Sequence, residues 1–169
     1  MPYWKIWLSI VLLAGITGLT FLAWPDGPVL QDAAGDSQPE MLVYKTPTCS
    51  CCDKWVDHVR ASGFEVTAHD LTHAELNEKK IEGGLGPGMA SCHTAFVDGY
   101  TIEGHVPAAE IKRLLELRPE VAGLTVPGMP IGSPGMEMGD RVDDYDVLSF
   151  TRNGNTEVFA TYPRNAGEK

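Results

Sequence analysis

Polarity along the chain changes in blocks. Ile6 to Ala23 is an unbroken uncharged run with Trp4, Trp7 and Trp24 near its ends, and Lys5 is the only charged residue before Pro25. A soluble helix needs a polar face that this run does not supply. Residues 1–24 therefore read as a membrane-directed helix, either a signal peptide or a membrane anchor. Pro25 to Glu40 is rich in Pro, Gly and acids, with only Val29 and Leu30 as branched apolar residues, which is the composition of a linker over residues 25–40. A lysine before the span and acids after it place the following domain outside the cytoplasm.

From Met41 onward the apolar positions recur with short periods. Met41 to Tyr44 suits a buried strand, and Trp55, Val56 and Val59 then follow helical spacing up to Gly63, with Thr48 or Ser50 as competing N-caps. Phe64, Val66 and Ala68 alternate as a second strand. Thr72 with Glu75 is a capping box opening a helix that runs toward Gly83. Thr94 to Val97 and Tyr100 to Glu103 flank Asp98-Gly99, a favoured two-residue hairpin turn. Pro107 stands at the first helical position before Ala108 to Arg118, whose stripe is Ile111, Leu114 and Leu115. The predicted order is βαβαββα. Val126 to Gly139 holds too much Pro and Gly for a regular element, and Val147 to Phe150 with Glu157 to Tyr162 supply a final hairpin through Asn153-Gly154. One domain over residues 41–162 with a tail over 163–169 is expected.

Composition agrees with a folded chain, at 43% hydrophobic and 21% charged. The net charge of −10 argues against a nucleic-acid partner and suits a protein that handles cations. There is no hydrolase or transferase signature.

The chemistry is concentrated in four cysteines. Cys51 and Cys52 are neighbours, and Cys49 to Cys52 is a Cys-x-x-Cys spacing with an extra thiol inserted, so structural disulfides fit poorly. The motif falls between the first strand and first helix, where the positive helix end favours thiolates, the form that both binds metal and attacks disulfides. A βαβαββα order with Cys-x-x-Cys at that place is the thioredoxin pattern, in which the start of the third strand lies beside the motif. Thioredoxins carry a cis-proline there; this chain has Cys92-His93. The fold class expected is thus α/β, a thioredoxin-like core with an added C-terminal β-hairpin and an N-terminal membrane-directed helix.

Further motifs extend the likeness. Tyr44 through Cys52, Ala90 to Thr94, Val97 to Tyr100, Glu103 to Pro107 and Val126 through Met136 together resemble a family of thioredoxin-like metal-binding proteins long catalogued as a domain of unknown function, with members in bacterial copper resistance. That resemblance implies a periplasmic protein that binds copper through the clustered cysteines as a polynuclear Cu(I)-thiolate centre.

The residue chemistry points the same way. Thiolates and thioethers select Cu(I), and imidazole adds tolerance for Cu(II). A single zinc ion is the competing cargo, but Cys-x-Cys-Cys is too tight to spread three ligands about one small ion. An iron-sulfur centre ranks third. The metal-site set expected is Cys49, Cys51, Cys52, Cys92, His93, His105, Met129 and Met136, with His93 and His105 each either a ligand or a hydrogen-bonded structural residue. Met138 is left out, His58, His69 and His73 read as surface residues, and Trp55 as core. The leading function is copper binding and resistance, with interconversion of Cu(I) and Cu(II). Copper chaperones or exporters are the protein partners to expect. A thiol-disulfide oxidoreductase is the alternative, disfavoured because two further thiols invite wrong disulfides.

Overall fold

The computed structural model describes residues 39–162, so the expected membrane-directed segment, most of the linker and the tail lie outside the described residues. Among those described, no helix is long and apolar enough to cross a membrane. The elements run β1 (Met41–Lys45), α1 (Ser50–Ala61), β2 (Val66–Asp70), α2 (His73–Glu82), β3 (Thr94–Val97), β4 (Tyr100–Glu103), α3 (Ala108–Leu117), β5 (Gly123–Thr125), β6 (Tyr145–Phe150) and β7 (Thr156–Tyr162). Through α3 this is the predicted order, and β6 with β7 is the predicted final hairpin.

The strands form one mixed sheet in the order β2-β1-β3-β4-β5-β6-β7, with β1/β2 and β4/β5 parallel and the other pairs antiparallel. Directly paired residues share a sheet face. The row Val43, Ala95, Ile102 and Leu124 is therefore one face, and all four are fully buried with Trp55, Val59, Ile111 and Leu114 from α1 and α3. The adjacent row Tyr44, Thr94 and Glu103 faces the other way, toward α2: Lys79 sits 5.0 Å over the Tyr44 ring, and Lys80 bonds Thr94 and Glu103. This alternation places Thr94 and Glu103 on the α2 side of the sheet.

Four local expectations change. The N-cap of α1 is Cys49, not Thr48 or Ser50, and no side chain caps it; its carbonyl accepts from Cys52 and Asp53. Asp53 instead pairs with the buried Lys45 at 2.9 Å. Pro107 is the N-cap of α3 rather than its first residue, with ψ at 138°. The strand β5 was unforeseen, because three residues show no period; it fits between β4 and β6 since residue 123 is Gly, where a Cβ would lie 1.7 Å from the Thr101 carbonyl oxygen. His58 is not a free surface group, because its Nε2 accepts from the Ala108 N–H at 3.1 Å and so caps α3 from α1. Burial holds the His58 imidazole below its ordinary pKa, which keeps that acceptor available. The capping box of α2 is present as expected, with Thr72 accepting from the Glu75 N–H and donating its own N–H to the Glu75 carboxylate.

Candidate metal centre

The first turn of α1 carries Cys49, Cys51 and Cys52, and the chain entering β3 carries Cys92 and His93. The β1/β3 pairing brings these two segments together, and the loop after β4 adds His105. Sulfur atoms of Cys49, Cys51, Cys52 and Cys92 all lie within 4.8 Å of one another. A second group, Cys92, His93 and His105, meets the same limit, so Cys92 belongs to both. The Cys92 Sγ is 3.3 Å from His93 Nδ1 and 3.1 Å from His105 Nε2.

Not all four thiols are free. Cys49 and Cys52 form a disulfide, with Cα atoms 5.3 Å apart, while Cys51 and Cys92 remain thiols. The expectation of four free thiols is corrected to this extent. Helix geometry suits this bridge: positions three apart share a face of the first turn, at a separation that a disulfide spans. Cys51 Sγ is nonetheless only 3.5 Å from Cys49 Sγ.

The two histidines are buried, and their environments differ. His105 Nδ1 lies 2.8 Å from the Pro134 carbonyl oxygen, which can only accept, so Nδ1 carries the proton and Nε2 turns its lone pair toward Cys92. His93 is fully buried, packs its ring 4.3 Å from that of Trp55, and leaves Nε2 without a hydrogen-bond partner among the described residues. Burial lowers the pKa of both rings, His93 the more strongly, so both are neutral and able to ligate. With Nδ1 of one neutral ring and Nε2 of the other beside the Cys92 sulfur, the three residues form a donor set that could hold a metal ion.

Cys92 itself departs from the helix-end argument. It sits on no helix N-terminus, and burial, followed by the nearby charge of Cys51, pushes its thiol pKa up to about 12. A soft cation would displace that proton on binding.

A buried carboxylate holds the Cys92-His93 segment in place. Glu103, at the end of β4, accepts from the Ser91 N–H at 2.6 Å and from the Thr94 hydroxyl at 2.7 Å, bracketing residues 92 and 93, and pairs with Lys80 of α2 at 2.5 Å. Burial raises the Glu103 carboxyl pKa and the Lys80 charge opposes the rise. Neither Glu103 nor Lys80 is among the site residues expected from the sequence, where Glu103 enters only within the Glu103 to Pro107 motif.

The Pro/Gly loop after β5 closes the site. Gly135, at φ +84°, packs so tightly on α1 that a Cβ would lie 2.7 Å from the Cys51 carbonyl oxygen and 2.8 Å from the Trp55 nitrogen. Ser91 donates to the Gly128 carbonyl, tying the other end of the loop to Cys92. Of the methionines this loop carries, Met136 is half-buried, while Met129 and Met138 are 52% and 61% exposed. His69 stacks on Tyr44 at 5.4 Å and His73 opens α2, both exposed as expected.

Residues 89–136 match a family described as a protein of unknown function, DUF411. Two solved structures, named copper resistance protein CopG in form 1 and form 2, are each 46% identical to this chain over 75% of its length, with a TM-score of 0.70; the matches cover 98% and 99% of those chains. The chain belongs to the CopG-containing DUF411 family. No curated protein sequence matches it. The DUF411 match begins at Met89 and ends at Met136, so it takes in Cys92, His93, His105 and most of the loop that closes over them but not the Cys49–Cys52 motif.

Proposed function

We propose that this protein is a periplasmic copper-handling protein that holds Cu(I) in its cysteine cluster and interconverts Cu(I) and Cu(II). The observation that carries this reading is Cys92, whose sulfur is shared between a group of four cysteines and a group with two neutral histidines. Thiolates there suit Cu(I), the imidazoles tolerate Cu(II), and a shared thiolate can bridge ions in the two groups. Names of the similar structures support copper as the cargo. The fold is read as thioredoxin-like from the βαβαββα order and the β2-β1-β3-β4 sheet order. Met136 and Met129 are proposed as outer thioether donors on the covering loop. Residues 1–24 are proposed to export the domain and to place it where copper chaperones or exporters are its partners.

The Cys49–Cys52 disulfide adds the redox step. With both residues as thiolates, two Cu(II) ions take one electron each, giving two Cu(I) ions and the disulfide, so copper is the substrate and the thiol pair the donor. The test is to add Cu(II) to the reduced full-length protein without oxygen. Bound Cu(I) should appear with loss of two thiols for each two ions reduced; Cu(II) that is bound without thiol loss would remove the redox step, and Cu(II) neither bound nor reduced would exclude redox cycling and leave only the holding of Cu(I).

A further inference from the structure

Beside the cysteines lies a cleft of about 430 Å³, lined on one side by α2 and on the other by residues 90–92, with Thr46 and Cys49 at its end. The two sulfurs of the disulfide meet it differently. Cys49 lines the cleft, whereas Cys52 is fully buried and contributes nothing to it. A nucleophile arriving through this opening therefore meets the Cys49 sulfur first, and access decides which sulfur of a disulfide is attacked.

The cleft walls also describe what fits. Its volume is that of a small-molecule site, too narrow for a folded protein partner to enter. Leu76 and Ala90 give it apolar surface, and Asn77 and His73 line it with side chains that make no hydrogen bond to any described residue. Lys80 sits at its edge, oriented by Glu103 and Thr94. Amide and imidazole groups that bond no other described residue suit a ligand that carries peptide groups.

We infer that this cleft binds a small peptidic thiol, which reduces the Cys49–Cys52 disulfide by attack on Cys49. The inference rests on the reading above, in which copper reduction leaves the disulfide that must be reopened. In the first step the thiolate forms a bond to Cys49 Sγ as the Cys49–Cys52 bond breaks, and Cys52 departs with the electron pair and takes up the thiol's proton through solvent. A second molecule of the thiol attacks the sulfur of the first, releasing Cys49 as a thiol and the two ligand molecules as their disulfide. The sum is one protein disulfide and two thiols giving a protein dithiol and one small disulfide.

The test uses full-length metal-free protein in its disulfide form, with reduced glutathione as the probe and 2-mercaptoethanol as a thiol without peptide groups. Acid-quenched samples should show the glutathione adduct on Cys49. Filling the cleft with Asn77→Trp should slow reduction by glutathione about tenfold and reduction by the smaller 2-mercaptoethanol less. Asn77→Ala, which removes the amide without adding bulk to an exposed helix position, should slow glutathione about twofold or more and decides the matter if the tryptophan variant does not fold. An adduct on Cys51 or Cys92, no reduction by glutathione, or equal rates in wild type and Asn77→Ala would each overturn the inference. Copper uptake after reduction by a phosphine keeps the two readings apart: it should be the same in wild type and both variants, and its failure in wild type counts against copper binding, not against the cleft.

Discussion

His105 Nε2 lies 3.1 Å from Cys92 Sγ while its Nδ1 is held by the Pro134 carbonyl at 2.8 Å. A ring fixed at one nitrogen in this way presents the other as a ready ligand, and the fixing group belongs to the loop that covers the site. Removing the ring should therefore cost the histidine group its metal while leaving the cysteine group loaded. His105→Ala is expected to lower bound copper by about one ion per chain and to abolish any imidazole-type Cu(II) spectrum. Elemental analysis and electron paramagnetic resonance check this; unchanged copper content and spectrum would assign His105 a packing role.

Trp55 reports on the same group from the core. Its ring is 4.3 Å from that of His93, and its Nε1 is fixed to the Val106 carbonyl at 2.9 Å. Copper on His93 should quench Trp55 emission as the histidine group fills. The other three tryptophans lie in residues 1–24, so Trp55→Phe should remove the copper-dependent part of the signal. A signal that persists in Trp55→Phe would contradict ligation next to this ring.

Acid should loosen the junction between α1 and α3. His58 accepts from the Ala108 N–H only when neutral, and burial holds its folded pKa below the ordinary value of 6.5. The unfolded chain therefore binds a proton at a higher pH than the folded one. The stability contributed by neutral His58 is complete above pH 6.5 and is lost as the pH falls below it. His93 and His105 have pKa values lowered in the same direction and add to the effect. Thermal unfolding of metal-free protein between pH 7.5 and about 5 should show falling stability, and His58→Gln, which cannot titrate, should make that fall shallower. Equal pH slopes for the two proteins would show that His58 does not contribute.

Much of this architecture is written in local patterns. The Thr72/Glu75 capping box, the Asp98-Gly99 turn and the apolar stripe of α3 each depend on neighbours in sequence, and each forms where the pattern puts it. The gathering of the cysteines with Cys92, His93 and His105 was legible for a different reason: the strand order places the start of β3 beside the end of β1. What the sequence did not reveal are contacts fixed by tertiary packing. Gly123 became a strand residue only because Thr101 lies against it, and His58 became a helix cap only because α3 begins at its side. Gly135 could be read as part of a shaped loop, but nothing local says that its missing Cβ is what lets that loop rest on Cys51. The intervening third thiol argues in the sequence against a Cys49–Cys52 bridge, yet the first turn of α1 brings those two together and leaves Cys51 a thiol.

The sharing of Cys92 between two ligand groups is tested most directly by oxygen-free copper titration of fully reduced full-length protein beside Cys92→Ser and Cys51→Ser. More than one Cu(I) per chain should bind to wild type, in preference to zinc. Cys51→Ser should lose part of that copper, and Cys92→Ser should lose more, because it removes a ligand from both groups. All three proteins should keep their thermal unfolding transitions without metal. One tightly held zinc ion with no uptake of copper, or equal copper losses in the two variants, would contradict this account.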